Sequence, residues 1–350
     1  RVPGAEEKRA TAALGRQAQD FAGKVPKSET IGSVSVEELS KRIQDRQTSE
    51  QHRLTQPGRR PKLVFDSEAP KRTRHPGGGP RFASDFESGN LRMVSKVGAA
   101  EYDLVLFADT NTNRHMQWYY FSVYGLKKGE TYRFNIVNLR KRSSLYNEGL
   151  RPLMYSEKRA KNEGIGWARG GQETVYYASS IYSRGSEGTA WHTLTWTFKP
   201  EYDRDTLLFA HSYPYTSTKL HCEISLLLSD PAKAAVMQYG ALCSTNARNA
   251  CTLLRITNDQ PPKIGLPVKK RAVIIFARSH PAATASNYVV QGLLRFLVSH
   301  ENAARELRDR FEVFVVPMLN PDGVVAGNSR CCVDGEDLSR SWRGGAQGLR

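Results

Sequence analysis

His280 follows an apolar run and is followed by Pro281. An imidazole fixed by a stiff proline turn at the end of a strand can ligate a metal through a neutral ring nitrogen. Further along come the turn signature Asn320-Pro321-Asp322-Gly323, then Arg330, then Asp337-Leu338-Ser339-Arg340-Ser341-Trp342. Arginine presents parallel N–H donors that match a carboxylate. Arg330 and Arg340 together can hold a peptide's terminal carboxylate and polarise its scissile carbonyl. Taken singly, a loop histidine or a surface arginine is common and carries no function. The vicinal pair Cys331-Cys332 has metal-binding chemistry, but ordinary loop cysteines are the commoner case.

The surrounding pattern supplies elements to position these groups. Arg271 to Arg278 (RAVIIFAR) reads as a strand buried on both faces. Residues 279–285 form a loop. Ser286 is placed to cap a helix from Asn287 to Ser299, whose apolar stripe is Val289, Val290, Leu293, Leu294, Phe296 and Leu297. A helix from Ala303 to Arg310 follows, then a buried strand from Glu312 to Leu319 with Pro317 near its end. Strand, helix, strand is a βαβ unit. Ligands bind such sheets at the carboxyl ends of the strands. Those ends here are the loops 279–285 and 320–340.

Upstream the texture differs. Between residues 81 and 232 short β-rich runs recur between turn signals: Tyr102 to Ala108, Gln117 to Tyr124, Thr131 to Asn138, Thr174 to Ser179, His192 to Phe198, Leu207 to Ala210 and His221 to Leu228. The spacing predicts an antiparallel β-sandwich. Residues 1–80 read as a basic, largely disordered tail and linker. They contain a short helix from Val36 to Gln47 capped by Ser35, and an Arg-, Pro- and Gly-rich stretch from Gln56 to Pro80. The expected fold class is therefore α+β and multidomain: tail 1–80, β-sandwich 81–232, and 233–350 as the first part of an incomplete α/β domain.

The chain has 350 residues and a formal net charge of +16. Such a charge favours acidic partners: polyglutamate tails, nucleic acid or a membrane surface. No apolar run reaches the roughly 20 residues of a membrane helix, and no nucleic-acid-binding motif appears. The five cysteines are odd in number and irregularly spaced, which fits reduced thiols rather than a disulfide framework. The start, Arg1-Val2-Pro3, lacks a Met, so an upstream piece is expected.

The order of these motifs resembles the zinc metallocarboxypeptidases, specifically the cytosolic carboxypeptidases that trim glutamates from tubulin tails. The upstream matches are Phe86-Glu87-Ser88-Gly89-Asn90-Leu91, Gln117-Trp118-Tyr119-Tyr120-Phe121, Asn138-Leu139-Arg140-Lys141, Gly149-Leu150-Arg151-Pro152-Leu153 and Tyr213-Pro214-Tyr215-Thr216. The resemblance implies zinc held by the loop His-Pro-Gly-Glu. Here that loop reads His280-Pro281-Ala282-Ala283, so His280 matches a ligand and Ala283 stands where the glutamate would be. It implies that Arg330 polarises the carbonyl. It also implies that Ser339 and Arg340 stand at the pair gripping the terminal carboxylate, with Ser339 in place of an asparagine. A third ligand, His, and a catalytic Glu would lie beyond Arg350.

Zinc hydrolysis needs three protein ligands and an activated water. The sequence therefore predicts a protein of this family that is inactive as given and does not hold zinc tightly. Its implied partners are tubulin or other acidic-tailed proteins, with no specific nucleic acid and no membrane. Its implied place is the cytoplasm, at microtubules or cilia. The other reading is a non-catalytic binding module, a pseudoenzyme recognising acidic tails or microtubules.

Overall fold

The structure is a computed structural model that describes residues 35–55, 61–76, 79–180, 191–259 and 270–343. The chain divides into two compact units. The first comprises the described residues up to Ala108 together with Asn113–Tyr213; the second comprises Asp109–Thr112 and Pro214 onward.

In the first unit the strands are β1 (Lys62–Asp66), β2 (Arg81–Ala83), β3 (Met93–Lys96), β4 (Glu101–Val105), β5 (Tyr120–Tyr124), β6 (Tyr132–Leu139), β7 (Leu153–Ser156), β8 (Ala168–Arg169), β9 (Gln172–Ala178), β10 (His192–Phe198) and β11 (Thr206–Ala210). They build a six-stranded sheet ordered β1-β3-β4-β6-β10-β9 and a five-stranded sheet ordered β2-β5-β11-β7-β8. Alternation explains the core. Phe134 and Ile136 of β6, with Leu194, Trp196 and Phe198 of β10, join Phe121 of β5 and Phe209 of β11 in one buried cluster. Rings from the two sheets meet there, Phe121 with Phe134 at 6.1 Å between centroids and Trp196 with Phe209 at 5.9 Å.

The expected layer was antiparallel throughout, but β4 and β6 run parallel. The intervening β5 lies in the other sheet. The chain therefore crosses over and returns in the same direction, as parallel pairing requires.

The tail reading is corrected within 36–55 and 61–76, while residues 1–34 lie outside the described residues. Helix α1 (Val36–Thr55) is longer than expected, although Ser35 Oγ does accept from Glu38 N at 3.1 Å. It lies against the outer face of the six-stranded sheet. That contact is polar: Arg46 reaches Glu101 at 2.7 Å, and the fully buried Glu50 accepts from Ser180 N at 2.7 Å. It explains why the outward threonines of β10, Thr193 and Thr195, are as buried as its aromatics. Strand β1, read as linker, pairs with β3.

The second unit contains α3 (Ser217–Leu228), α4 (Pro231–Ala234), β12 (Met237–Ser244), β13 (Ala250–Ile256), β14 (Arg271–Phe276), α5 (Thr284–Leu297), α6 (Asn302–Arg310), β15 (Phe311–Val316) and α7 (Pro321–Ala326). The first unit also holds α2 (Glu157–Glu163). The run from His221 to Leu228, read as a strand, is helix α3. Thr216 caps it by accepting from Lys219 N, and Leu220, Ile224 and Leu227 form one helical face in the second core. For the same reason the units divide at Tyr213 and not near residue 232.

The four-stranded sheet of the second unit is ordered β12-β13-β15-β14, with β14 and β15 parallel and the other pairs antiparallel. The hairpin β12–β13 was not foreseen. Strand β14, expected to be buried on both faces, is mostly exposed: Ile274 is 68% exposed and Phe276 48%. It ends the sheet among the described residues, so one edge has no strand beside it and its side chains have little cover. Helix α5 begins before Ser286, which sits in the first turn and donates from Oγ to Ala283 O at 2.7 Å; no side chain caps this helix.

Candidate active site

Two loops leave the carboxyl ends of β14 and β15, and a buried arginine shapes the first. Arg278 sits at φ 59, donating through Nε to Pro281 O at 2.6 Å and through Nη1 to Asn287 Oδ1 at 2.6 Å and Tyr215 O at 3.0 Å. The guanidinium thus ties the turn after β14 to α5 and leaves His280 projecting beside it. Sequence reading placed Arg278 in a strand; nothing in its type or spacing signalled this role.

The second loop is pinned from several sides. Asn320 caps α7, accepting from Gly323 N at 2.9 Å, and its amide donates to Ser279 O at 3.2 Å. The residues read as a plain turn therefore start a helix. Gly323 is required by closeness: a Cβ there would lie 2.5 Å from Pro281 Cγ and 2.7 Å from Cys331 O. Asp322 accepts from Thr245 Oγ1 at 2.6 Å, Asn249 Nδ2 at 2.7 Å and Ala247 N at 3.0 Å, binding the turn of the β12–β13 hairpin.

Asp109 holds the segment that carries Arg330. Its carboxylate accepts from the backbone N–H of Ser329 at 2.5 Å, Arg330 at 2.7 Å and Cys331 at 2.7 Å, and it is almost fully buried. Three charge-assisted bonds fix this backbone more firmly than turn chemistry alone. Asp109 lies in sequence between β4 and β5, far from Arg330, so only the tertiary structure reveals it.

The site residues meet at Asp337. Arg330 Nε donates to Asp337 Oδ2 at 2.6 Å, and His280 Nε2 lies 2.9 Å from Oδ1. Ser339 contacts Oδ1 through Oγ at 2.7 Å and through its backbone N at 3.0 Å, and its Oγ is 3.0 Å from His280 Nε2. Burial alone would raise the Asp337 carboxyl, but the bonds from Ser339, Arg330 and His280 outweigh it and hold the group well below the usual carboxylate range. An ionised carboxylate only accepts, so the proton between it and His280 belongs on Nε2. In the neutral ring Nδ1 is then the nitrogen that carries the lone pair.

His280, Arg330 and Ser339 are thus brought together. Arg340 stands at the rim, its Nε 3.9 Å from Asp337 Oδ2 and its side chain 79% exposed. Ala283 is exposed, one turn beyond His280, with its N–H donating to His280 O at 3.0 Å. Asp337 was quoted in the motif but not given a role. Its acidic type, between two arginines and after a histidine loop, is the signal that could have found it. A cavity of about 600 Å³ lies elsewhere, in the first unit, and includes none of these residues.

Comparison with known proteins follows this division. The family profile described as cytosolic carboxypeptidase N-terminal domain matches residues 82–212, and that described as zinc carboxypeptidase matches residues 232–348. The chain belongs to the cytosolic carboxypeptidase family. It is 44% identical over 263 residues to cytosolic carboxypeptidase 2 of Xenopus tropicalis, covering 75% of this chain and 27% of the relative. It is 45% identical over 261 residues to cytosolic carboxypeptidase 3 of Mus musculus, covering 75% and 25%. The chain therefore spans about a quarter of the length of these cytosolic carboxypeptidases. Among solved structures, a putative carboxypeptidase A from Shewanella denitrificans is similar in fold, with a TM-score of 0.61 at 24% identity, covering 77% of this chain and 62% of that one. A metallo-carboxypeptidase from Burkholderia cenocepacia has a TM-score of 0.59 at 23% identity, covering 77% and 64%.

The family implies zinc, and the donor set tests whether these residues fit it. His280 Nδ1 is one suitable donor, with Asp337 as the carboxylate behind it. Ala283 offers a methyl group. Among the described residues no three His, Cys, Asp or Glu side chains converge. One imidazole is not the three-ligand set that a catalytic zinc needs, so the residues described here do not fit a tightly held zinc ion. None of the five cysteines forms a disulfide, and Cys331, 2% exposed, is buried. No described helix is long and apolar enough to cross a membrane.

Proposed function

We propose that this chain is part of a metallocarboxypeptidase of the tubulin-deglutamylase type, and that as given it recognises acidic peptide ends without hydrolysing them. The observation that carries this reading is the convergence of His280, Arg330 and Ser339 on Asp337. Asp337 holds Arg330 by Nε and leaves the terminal N–H groups of its guanidinium for a ligand carbonyl or carboxylate. Arg340, exposed beside it, adds a second positive charge for a terminal or side-chain glutamate carboxylate. The net charge of +16 supports an acidic partner such as a tubulin tail. The cytoplasm and microtubules or cilia as the place of action rest on the family resemblance.

Loss of hydrolysis follows from Ala283. A glutamate there would add a carboxylate donor on the exposed turn next to His280; a methyl adds none. No hydrolytic step is therefore assigned to this chain.

Calorimetry with zinc and with a glutamate-terminated peptide tests both halves of the reading. The chain should bind the peptide in a salt-sensitive way and bind zinc weakly. Ala283→Glu should tighten zinc by about tenfold or more, equivalent to about 1.4 kcal/mol. Tight stoichiometric zinc in the unsubstituted chain would refute the inactivity reading. Peptide binding unchanged by Arg330→Ala would refute the recognition reading.

A further inference from the structure

The hairpin β12–β13 carries a cysteine on each strand. Cys243 and Cys251 stand directly opposite each other in the antiparallel register, just past an irregularity between Ala241 and Cys243. Opposed residues in such a pair have Cα atoms about 4.5 or 5.5 Å apart, and disulfides span about 4.4–6.8 Å. Directly opposed side chains also leave the sheet on the same face. The two thiols differ in access. Cys243 is exposed, while Cys251 is buried with Sγ 3.6 Å from Met318 O. Burial, with Cys243 alongside, raises the Cys251 thiol to about 12. The buried thiol keeps its proton, and the exposed one is the group a soluble oxidant meets.

We propose that Cys243 and Cys251 are a peroxide-responsive modification site that closes to a cross-strand disulfide. The Cys243 thiolate attacks a hydroperoxide. A sulfur–oxygen bond forms, the O–O bond breaks, and the released hydroxide or alkoxide leaves protonated as water or alcohol. The resulting sulfenic acid is attacked by Cys251 sulfur. The S–S bond forms, the S–O bond breaks, and the Cys251 proton leaves with the hydroxyl as water. Two thiols are oxidised and one peroxide is reduced.

The position gives the modification a consequence. The pair brackets the turn whose Thr245, Ala247 and Asn249 grip Asp322. Asp322 belongs to α7, whose cap Asn320 reaches Ser279 beside His280. A disulfide would therefore lock the hairpin end that supports the second site loop. This inference is independent of the peptide-recognition reading.

The full chain is treated with hydrogen peroxide, quenched, alkylated under denaturing conditions and mapped by peptide mass spectrometry without reduction. The expected result is a Cys243–Cys251 linked peptide with loss of two alkylatable thiols, reversed by dithiothreitol. Hydrogen exchange at residues 245–249 should slow in the oxidised protein. Cys243→Ser should abolish the link. Cys251→Ala should instead drive Cys243 to sulfinic and sulfonic acid. If the unsubstituted chain shows Cys243 over-oxidised while Cys251 stays fully alkylatable, or Cys243 linked to another cysteine, the proposal fails. This outcome is read on the unsubstituted protein, so poor folding of a variant does not obscure it.

Discussion

His280 and Asp337 face each other through Nε2 and Oδ1 at 2.9 Å, although they leave the ends of different strands. The same carboxylate takes Arg330 at 2.6 Å on its other oxygen. Asp337 therefore sets the orientation of both a candidate ligand and a candidate substrate-binding group.

The pH dependence of this arrangement has a definite sign. The folded-state value of Asp337 is depressed, so its contribution to stability is fully present above the unfolded value of about 4. It is lost as pH falls below that, towards the depressed folded value. Asp337→Asn should flatten acid unfolding below about pH 4. At neutral pH it should cost only about 1–2 kcal/mol, because Arg330 is 36% exposed and screened by solvent. Urea denaturation at a series of pH values measures both effects. An unchanged acid limb in the variant would contradict the assignment.

Asp109 is expected to be the costliest single position near the site. Asp109→Ala leaves the N–H groups of Ser329, Arg330 and Cys331 without their carboxylate. Local stability should fall by about 3–5 kcal/mol. Cys331 is a built-in reporter, being a buried cysteine outside any disulfide on the same backbone. Its reaction with a thiol reagent should accelerate at least about hundredfold, the equivalent of about 2.7 kcal/mol. A rate within threefold of the parent protein would show that the loop is held by other contacts.

Helix α1 separates charge pairing from net stability. Arg46 and Glu101 are 13% and 21% exposed at 2.7 Å. Removing one partner, as in Arg46→Ala, leaves Glu101 largely desolvated and should cost about 2–3 kcal/mol. Replacing both, Arg46→Met with Glu101→Leu, should return most of that loss, because two desolvated charges are removed together. Chemical denaturation of the single and double variants gives the coupling.

His211 makes the first unit sensitive to mild acid. Burial, with Arg169 and Lys141 nearby, lowers its value to about 4, and its Nδ1 shares a hydrogen bond with Tyr146 OH at 3.2 Å. The unfolded chain takes up the proton near pH 6.5, the folded chain only near 4. Stability therefore falls as pH drops through that window, by up to about 1.4 kcal/mol per pH unit. His211→Gln should remove this slope between pH 6 and 4 and leave the Asp337 limb below it intact.

Residue types and short-range spacing determined much of this protein. His280, Arg330 and Arg340 were legible as candidates because ligands and clamps lie in loops after strands, and the strand–helix–strand pattern marks those loops; Ser339 entered only through the resemblance. The substitution at Ala283 was legible only through the family resemblance, which puts a glutamate there; a methyl group has no lone pair to replace it. β10 and β6 were legible as β-rich runs between turn signals, and one face of each strand fills a single core. Tertiary structure alone decided the rest. Asp337 became the meeting point only when two strands paired in parallel and brought their ends together. Asp109 became the anchor of Arg330 only through a contact distant in sequence. His221 to Leu228 has enough apolar residues for either a strand or a helix, and the Thr216 cap with the second core selected the helix. β14 reads as interior from its own residues, but exposure is set by neighbours, and only β15 lies beside it among the described residues. Local sequence fixes what a side chain can do; the distance over which it acts is set by long-range packing, which no local pattern encodes.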